Sequence, residues 1–356
     1  MTTYQSPLID LPGACPALME SHDEGVAWHY GDPFAEQRLL ESGQGWVDLS
    51  HRSVITISGP DRLSWLHSIT TNSVDRLAPG ESALNLVLSP NGHVEHEMHM
   101  VDDGQIAWIT TEKSRTADLL DYLNKMKFML RVEIEDQTDS VAVVGEPVGE
   151  SHAHYPTFVW PVDFSQVVDS GSSGAKYVPK RPSAFVAREV FVPRTELNAY
   201  VDGRAGAGTW AWESRRIAAG VPRVGFETDH RTIPHEFGWV TSAVHLNKGC
   251  YRGQETVARV HNLGRPPRRL VLLHLDGSAD HLPAPGDVVS INGRDIGRMT
   301  SVVQHHELGP IGLAVVKRSV PVSDTLLVGR ADADAVAATQ EVIVTANDEQ
   351  SLTSSG

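Results

Sequence analysis

Apolar positions along the 356-residue chain recur with helical spacing in some stretches and alternate in strand fashion in others. The spacing predicts a helix from Asp32 through Glu36-Gln37-Arg38-Leu39-Leu40, then strand-like alternation over 47–57. Pro60-Asp61-Arg62 opens a second helix to about Thr70, with Leu63, Leu66 and Ile69 on one face. Apolar runs over 83–88 and 93–101 flank Ser89-Pro90-Asn91-Gly92, a hairpin signal because glycine accepts positive φ. A third strand near Ile106-Ala107-Trp108-Ile109 and a helix over 116–129 complete an α+β unit. A strand over 185–192 and a Trp- and Arg-rich helix over 209–219 follow. Beyond Arg268 short strands and turns such as Ile291-Asn292-Gly293-Arg294 predict an all-β C-terminal domain.

The expected divisions are a weakly ordered lead-in over 1–25, α+β regions over 26–140 and 141–264, the all-β domain over 265–345, and a flexible tail over 346–356. The lead-in expectation comes from Pro7, Pro12, Gly13 and Pro16. Asp169-Ser170-Gly171-Ser172-Ser173-Gly174 marks 165–183 as a flexible surface insertion.

Composition narrows the function classes. Apolar content of 40% and charged content of 21% are ordinary for a soluble protein. No run approaches the roughly 18 apolar residues of a membrane span, and Met1-Thr2-Thr3-Tyr4-Gln5-Ser6 has no signal-peptide pattern. Two distant cysteines, Cys15 and Cys250, form no disulfide framework, so cytoplasm is the expected compartment. A formal charge of −15 argues against direct nucleic-acid binding, and Arg265, Arg268 and Arg269 read as a charged domain junction. There is no P-loop, no G-x-S-x-G elbow and no Cys-x-x-Cys pair. His305-His306-Glu307 reads as surface loop.

The most informative stretch is Lys248-Gly249-Cys250-Tyr251-Arg252-Gly253-Gln254-Glu255. A cysteine lies between two glycines and two cations, ahead of a helix expected over 256–262. Positive charge and a helix N-terminus both stabilise the reactive thiolate. The plain alternative is a small hydrophobe buried in a turn.

This string resembles the signature of YgfZ-type folate-binding proteins, relatives of the glycine-cleavage T protein (aminomethyltransferase). The resemblance continues through Thr256-Val257-Ala258-Arg259-Val260-His261, and upstream through Arg216-Ile217-Ala218-Ala219-Gly220-Val221-Pro222 and Ile233-Pro234-His235-Glu236. Val47-Asp48-Leu49-Ser50-His51-Arg52, Ile57-Ser58-Gly59-Pro60-Asp61-Arg62 and Leu66-His67-Ser68-Ile69-Thr70-Thr71-Asn72 fit too. It implies two α+β units and a small C-terminal β-barrel around a central folate pocket, with tetrahydrofolate as cofactor.

The resemblance implies a folate-binding accessory protein for assembly or repair of iron–sulfur clusters, with tRNA-thiolating enzymes among the clients. Cys250 would be the reactive residue, with Lys248 and Arg252 keeping it partly ionised. His96, Trp239, Tyr251, Gln254 and Glu255 would line or order the folate site. No metal site is expected in the chain itself, because a lone cysteine cannot hold a cluster. Two positions depart from the transferase pattern: Glu95 and His96 stand near its acidic pair, and Ala218 stands where its pterin-gripping Glu would be. Alanine offers no acceptor to a pterin's N–H donors. The alternatives are a folate-dependent aminomethyltransferase or demethylase using Glu95 or Glu97, and a thiol-redox protein pairing Cys250 with Cys15.

In His93-Val94-Glu95-His96-Glu97-Met98-His99-Met100, alternation puts His93, Glu95, Glu97 and His99 on one face, expected to be solvated. A straight strand spreads them over about 20 Å, too far for one ion. His96 would point inward with Met98 and Met100.

Overall fold

The computed structural model describes residues 4–149, 154–160, 185–240, 242–263, 266–329 and 335–344. The insertion expected over 165–183 and the tail over 346–356 lie outside the described residues.

The lead-in carries a short antiparallel ribbon of β1 (Cys15–Pro16) and β2 (Ala27–His29). Helix α1 (Pro33–Glu41) starts at Asp32, whose carboxylate accepts the N–H groups of Phe34 and Ala35. The alternation over 47–57 is not one strand: β3 (Trp46–Asp48) and β4 (Ser53–Ser58) enter different sheets. Helix α2 (Arg62–Ile69), β5 (Ser82–Leu88), β6 (Val94–Asp102), β7 (Ile106–Thr111), α3 (Thr116–Lys127) and β8 (Glu133–Asp136) follow. The first sheet has the order β5-β6-β7-β4-β8.

The second unit adds β9 (Val141–Pro147), β10 (Thr157–Val159), β11 (Ala187–Pro193), α4 (Leu197–Val201), β12 (Gly206–Ala207) and α5 (Thr209–Ala218). Its sheet, β10-β11-β9-β3-β12, takes β3 from the early chain, so the second unit is discontinuous in sequence. Helix α6 (Gln254–Leu263) precedes the barrel. The barrel strands are β13 (Arg268–Leu275), β14 (Val288–Ile291), β15 (Arg294–His305), β16 (Gly309–Lys317), β17 (Leu326–Val328) and β18 (Val336–Val342). They close in the order β13-β16-β15-β14-β17-β18. Asn292 (φ 49°) and Gly293 (φ 72°) turn the β14–β15 hairpin, as expected of an Asn-Gly pair. The architecture is thus the expected one, two α+β units with a closed C-terminal barrel.

One apolar core joins all three bodies: Leu86 and Val101 of the first sheet, Val143 and Phe191 of the second, and Leu270 and Leu313 of the barrel. A second core, with Met98, Met100, Leu66 and Leu123, fills the space between the first sheet and α2 and α3. The first sheet is therefore covered on both faces, and no face of β6 is left to solvent.

The lead-in is packed, against expectation. Leu8 is fully buried with Trp46 and Val190, and Ser6 hydrogen-bonds the Asp48 carboxylate. Prolines and glycines shape this segment into turns without loosening it. From it Asp23 reaches the interior, where it meets His51 at 3.1 Å and Arg223 at 3.2 Å. Arg223 also binds Glu112 at the end of β7 (3.0 Å) and Glu213 on α5 (2.9 Å). Arg216 continues the network to Glu213, Glu227 and the Ser301 hydroxyl of β15. These buried charges tie both α+β units to the barrel. Among the described residues no helix is long and apolar enough to cross a membrane.

Candidate functional site

The eight-residue motif runs as a loop into the first turn of α6, and three anchors fix it. The Lys248 ammonium is buried and donates to the carbonyls of His67, Thr70 (2.6 Å) and Asn72 (2.8 Å). The carbonyls at the end of a helix lack intrahelical partners and carry negative potential, so a cation completes the end of α2. Burial pulls Lys248 down to about 8, which leaves it an ammonium at neutral pH. Its ammonium is thus bound to the carbonyls of His67, Thr70 and Asn72, partners the sequence had not suggested.

The second anchor is Arg252, which holds Glu95 at 3.0 Å and lies 5.5 Å over the Tyr122 ring. Glu95 reaches it because β6 has a bulge there: Val87 pairs with His96 and Leu88 with Val94, leaving Glu95 as the extra residue. The third anchor is backbone on backbone. Gly253 has φ +83°, and a Cβ on it would lie 2.7 Å from the Ser89 carbonyl oxygen and 2.9 Å from Gly92 Cα. Gly249 has open space around it. Gly253→Ala is therefore expected to unseat the loop and cost about 1–3 kcal/mol, whereas Gly249→Ala stays within about 0.5 kcal/mol of wild type. Urea unfolding of both variants checks this; equal costs would contradict it.

Between these anchors Cys250 is exposed; it makes no disulfide, and neither does the half-buried Cys15. A small buried hydrophobe is thus not what the motif cysteine is. Tyr251 next to it is buried, 5.4 Å from Lys248 Nζ, with a hydroxyl that has no hydrogen-bond partner. Gln254 starts α6, its N–H bonded to the Tyr251 carbonyl. Glu255 points outward and pairs with Arg259 at 2.8 Å, so it neither orders the loop nor faces the interior.

The two other cofactor candidates are separated. Trp239 is 1% exposed and packs on Phe237 in the shared core. His96 is buried on the side of β6 that carries Met98 and Met100, toward α2 and α3. The sheet lies between them. Burial, with Arg115 adding to it, pulls His96 down to about 4. The unfolded chain takes up this proton near the ordinary 6.5, the folded chain only near 4. Stability therefore falls as pH drops through that window, by about 3 kcal/mol at most. His96→Gln should flatten denaturation midpoints measured between pH 6.5 and 4.5 by one proton's worth; an unchanged slope would contradict this.

The opposite face of β6, expected to be solvated, is buried against the second sheet. His99 is 1% exposed, stacks on Phe158 at 4.9 Å and holds Glu189 at 2.8 Å. Burial alone would lower His99, but Glu189 outweighs it and raises it; Glu189 is lowered in turn. Glu97 Oε1 and His99 Nε2 face each other at 3.8 Å, too long for a hydrogen bond, and Thr110 Oγ1 is buried without a partner. Sequence reasoning missed Glu189 and Thr110. The signal was a charged pair, Arg188-Glu189, inside a strand whose neighbours are apolar. Ala218 is 5% exposed and brings no acceptor to the interior.

His305 and His306 are not free loop residues, since both ring Nε2 atoms face Glu41 of α1, at 3.6 and 2.7 Å. The three could crowd around a cation, yet His305 Nδ1 accepts the N–H groups of Glu307 and Leu308. That fixes the proton on Nε2, the atom a metal would need. Arg268 is held by Asp229 and Glu236, and Arg269 by the Val320 carbonyl and Gln340; Arg265 lies outside the described residues.

Comparison with known proteins bears on the fold and the family. Residues 27–145 match the GCVT N-terminal domain family. A chloroplastic protein of Arabidopsis thaliana with a transferase name is 26% identical over 337 residues, covering 86% of this chain and 73% of that protein. The tRNA-modifying protein YgfZ of Yersinia enterocolitica is 26% identical over 323 residues, covering 85% and 94%. An aminomethyltransferase of Rippkaea orientalis is 27% identical over 314 residues, covering 80% and 81%. The crystal structure of the glycine cleavage system aminomethyltransferase T from Bartonella henselae superposes with a TM-score of 0.72 at 15% identity, covering 93% of this chain and 94% of that one. That likeness establishes the fold. Together with the sequence matches it supports assignment of the chain as a YgfZ-type member of the glycine-cleavage T protein (aminomethyltransferase) superfamily.

Proposed function

We propose that this protein is a folate-binding accessory factor for the assembly or repair of iron–sulfur clusters in client enzymes, tRNA-thiolating enzymes among them, with Cys250 as its reactive group. The observation that carries the reading is the exposed thiol on an immobilised loop. An exposed side chain gains nothing in packing from a loop held by three anchors. Such a thiol can contact a cluster in transit together with a client's own ligands.

Folate binding is supported by the unpartnered polar atoms of the interior. Tetrahydrofolate, when bound, supplies a carrier for one-carbon units. Its pterin N–H donors need a carboxylate, and with Ala218 in place of the superfamily's Glu, Glu97 is the buried carboxylate whose Oε1 faces His99 Nε2 at 3.8 Å and makes no hydrogen bond. His99, ion-paired to Glu189, would orient that carboxylate, and Thr110 would add a hydroxyl.

The same buried carboxylate favours a second reading, a tetrahydrofolate-dependent aminomethyltransferase or demethylase. A titration of tetrahydrofolate into the purified protein, beside an assay of methylene transfer from an aminomethyl donor, tests both. Saturable binding weakened about tenfold by Glu97→Gln, with no turnover, is expected. Turnover would put the transferase reading first, and absence of binding would remove folate from the account.

A further inference from the structure

A cavity of about 470 Å³ opens where α5, the lead-in and barrel strand β15 meet. No residue of the motif loop or of the β5–β6 hairpin lines it, so it is distinct from the site described above. Its volume falls in the roughly 300–1,000 Å³ range of small-molecule sites.

The apolar wall is built from Trp28 and Trp210, stacked at 4.6 Å with their planes 16° apart. Trp28 remains 38% exposed, an unusual state for an indole unless its surface has a use. Aromatic pairs of this kind extend readily to another flat ring.

The polar features point to an anion. Thr209, at the start of α5, is 2% exposed and lines the cavity, yet its hydroxyl has no hydrogen-bond partner. A buried hydroxyl without a partner costs about 1–3 kcal/mol, a cost that a ligand acceptor or donor would remove. The helix opens at Gly208, whose N–H is taken by the buried Glu36 carboxylate at 2.8 Å, so the Thr209 hydroxyl is the group at this helix start left for a ligand. Two carboxylates also line the cavity, but both are turned into the ionic network, Asp23 toward Arg223 and Glu213 toward Arg216 and Arg223. Arg298 is different. It donates to the Glu227 carbonyl at 2.7 Å and has no carboxylate partner among the described residues. Among the charged residues lining the cavity it is thus the cation left without a carboxylate.

We infer that this cavity binds a small aromatic anion, with the ring against the Trp28–Trp210 pair, the anionic group on Arg298, and a hydrogen bond to the Thr209 hydroxyl. Nothing in the role of Cys250 or of folate is needed for it.

Calorimetric titration of the full-length protein with adenosine 5′-monophosphate and with 1-anilinonaphthalene-8-sulfonate tests the inference, with adenosine and inorganic phosphate as the separated halves of the first probe. Expected is saturable one-to-one binding of at least one probe at concentrations below about 1 mM, with adenosine and phosphate each weaker by about tenfold or more. Arg298→Met should weaken the aromatic anion about tenfold and leave adenosine unchanged, and Thr209→Val should weaken it several-fold. Both variants keep the fold-stabilising network intact, which an unchanged thermal midpoint verifies. Saturating tetrahydrofolate should leave the affinity unchanged. Failure of both probes to bind, binding of phosphate as tight as that of the nucleotide, or an Arg298→Met protein that binds like wild type would each overturn the proposal.

Discussion

Arg223→Met should lower the unfolding free energy by about 3–5 kcal/mol, the usual consequence of removing one partner from a buried ionic cluster. The guanidinium meets three carboxylates from three parts of the chain: Asp23 in the lead-in, Glu112 after β7 and Glu213 on α5. Burial alone would raise the carboxyl groups of Asp23 and Glu112; Arg223 outweighs it and holds both well below the usual carboxylate range. Methionine fills much the same volume but leaves those charges without their shared cation.

A domain's whole stability is commonly about 5–15 kcal/mol, so the variant should lose a large share of it. Because both carboxyl groups are lowered in the folded state, their contribution is full above the unfolded values. It disappears as pH falls from about 4.5 toward the folded values. The difference between wild type and Arg223→Met should accordingly be wide at pH 7 and shrink toward pH 3. Urea unfolding of both proteins across that range checks the sign as well as the size. A loss below about 1 kcal/mol at pH 7 would mean that solvent, not Arg223, compensates these carboxylates.

Elements governed by local chemistry were legible in the sequence. The hairpins at Asn91-Gly92 and Asn292-Gly293 formed as their turn residues require, and both glycines have positive φ. Helix α5 and the all-β texture after Arg268 were equally plain. What failed to show was long-range partnership. Alternation over 47–57 cannot reveal that Val47 pairs with Gly145 in one sheet while Ile55 pairs with Ile109 in another. Prolines and glycines before residue 25 read as disorder, although they place Leu8 in a core and Asp23 in an ionic network.

The candidate site divides in the same way. Cys250 and its glycines stood out because a thiol between glycines is a local pattern. The task of Lys248 did not, since its carbonyl partners lie far back along the chain at residues 67, 70 and 72. The bulge at Glu95 that feeds Arg252 was hidden by assuming a regular strand, and the buried face of Glu97 and His99 by assuming a sheet covered on one side. Registers and layers decide such questions, and both depend on residues remote in sequence.

Cys250→Ser should leave the fold untouched and abolish function. Cys250 is exposed, so its replacement by serine should change stability by no more than about 0.5 kcal/mol. A hydroxyl ionises far less readily than a thiol and is a poor ligand for iron, so chemistry at this position should disappear. The loop itself would stay in place, because Lys248, Arg252 and Gly253 hold it without help from residue 250. This separation of activity from stability distinguishes a functional cysteine from a structural one.

The most direct measurement is the activity of iron–sulfur enzymes, tRNA thiolation included, in cells lacking this gene and complemented with wild type or with Cys250→Ser at equal protein level. The account predicts restoration by wild type and none by the variant. Full restoration by Cys250→Ser would contradict the central role of the thiol, and enzymes unaffected by the deletion itself would contradict the cluster-maintenance reading as a whole.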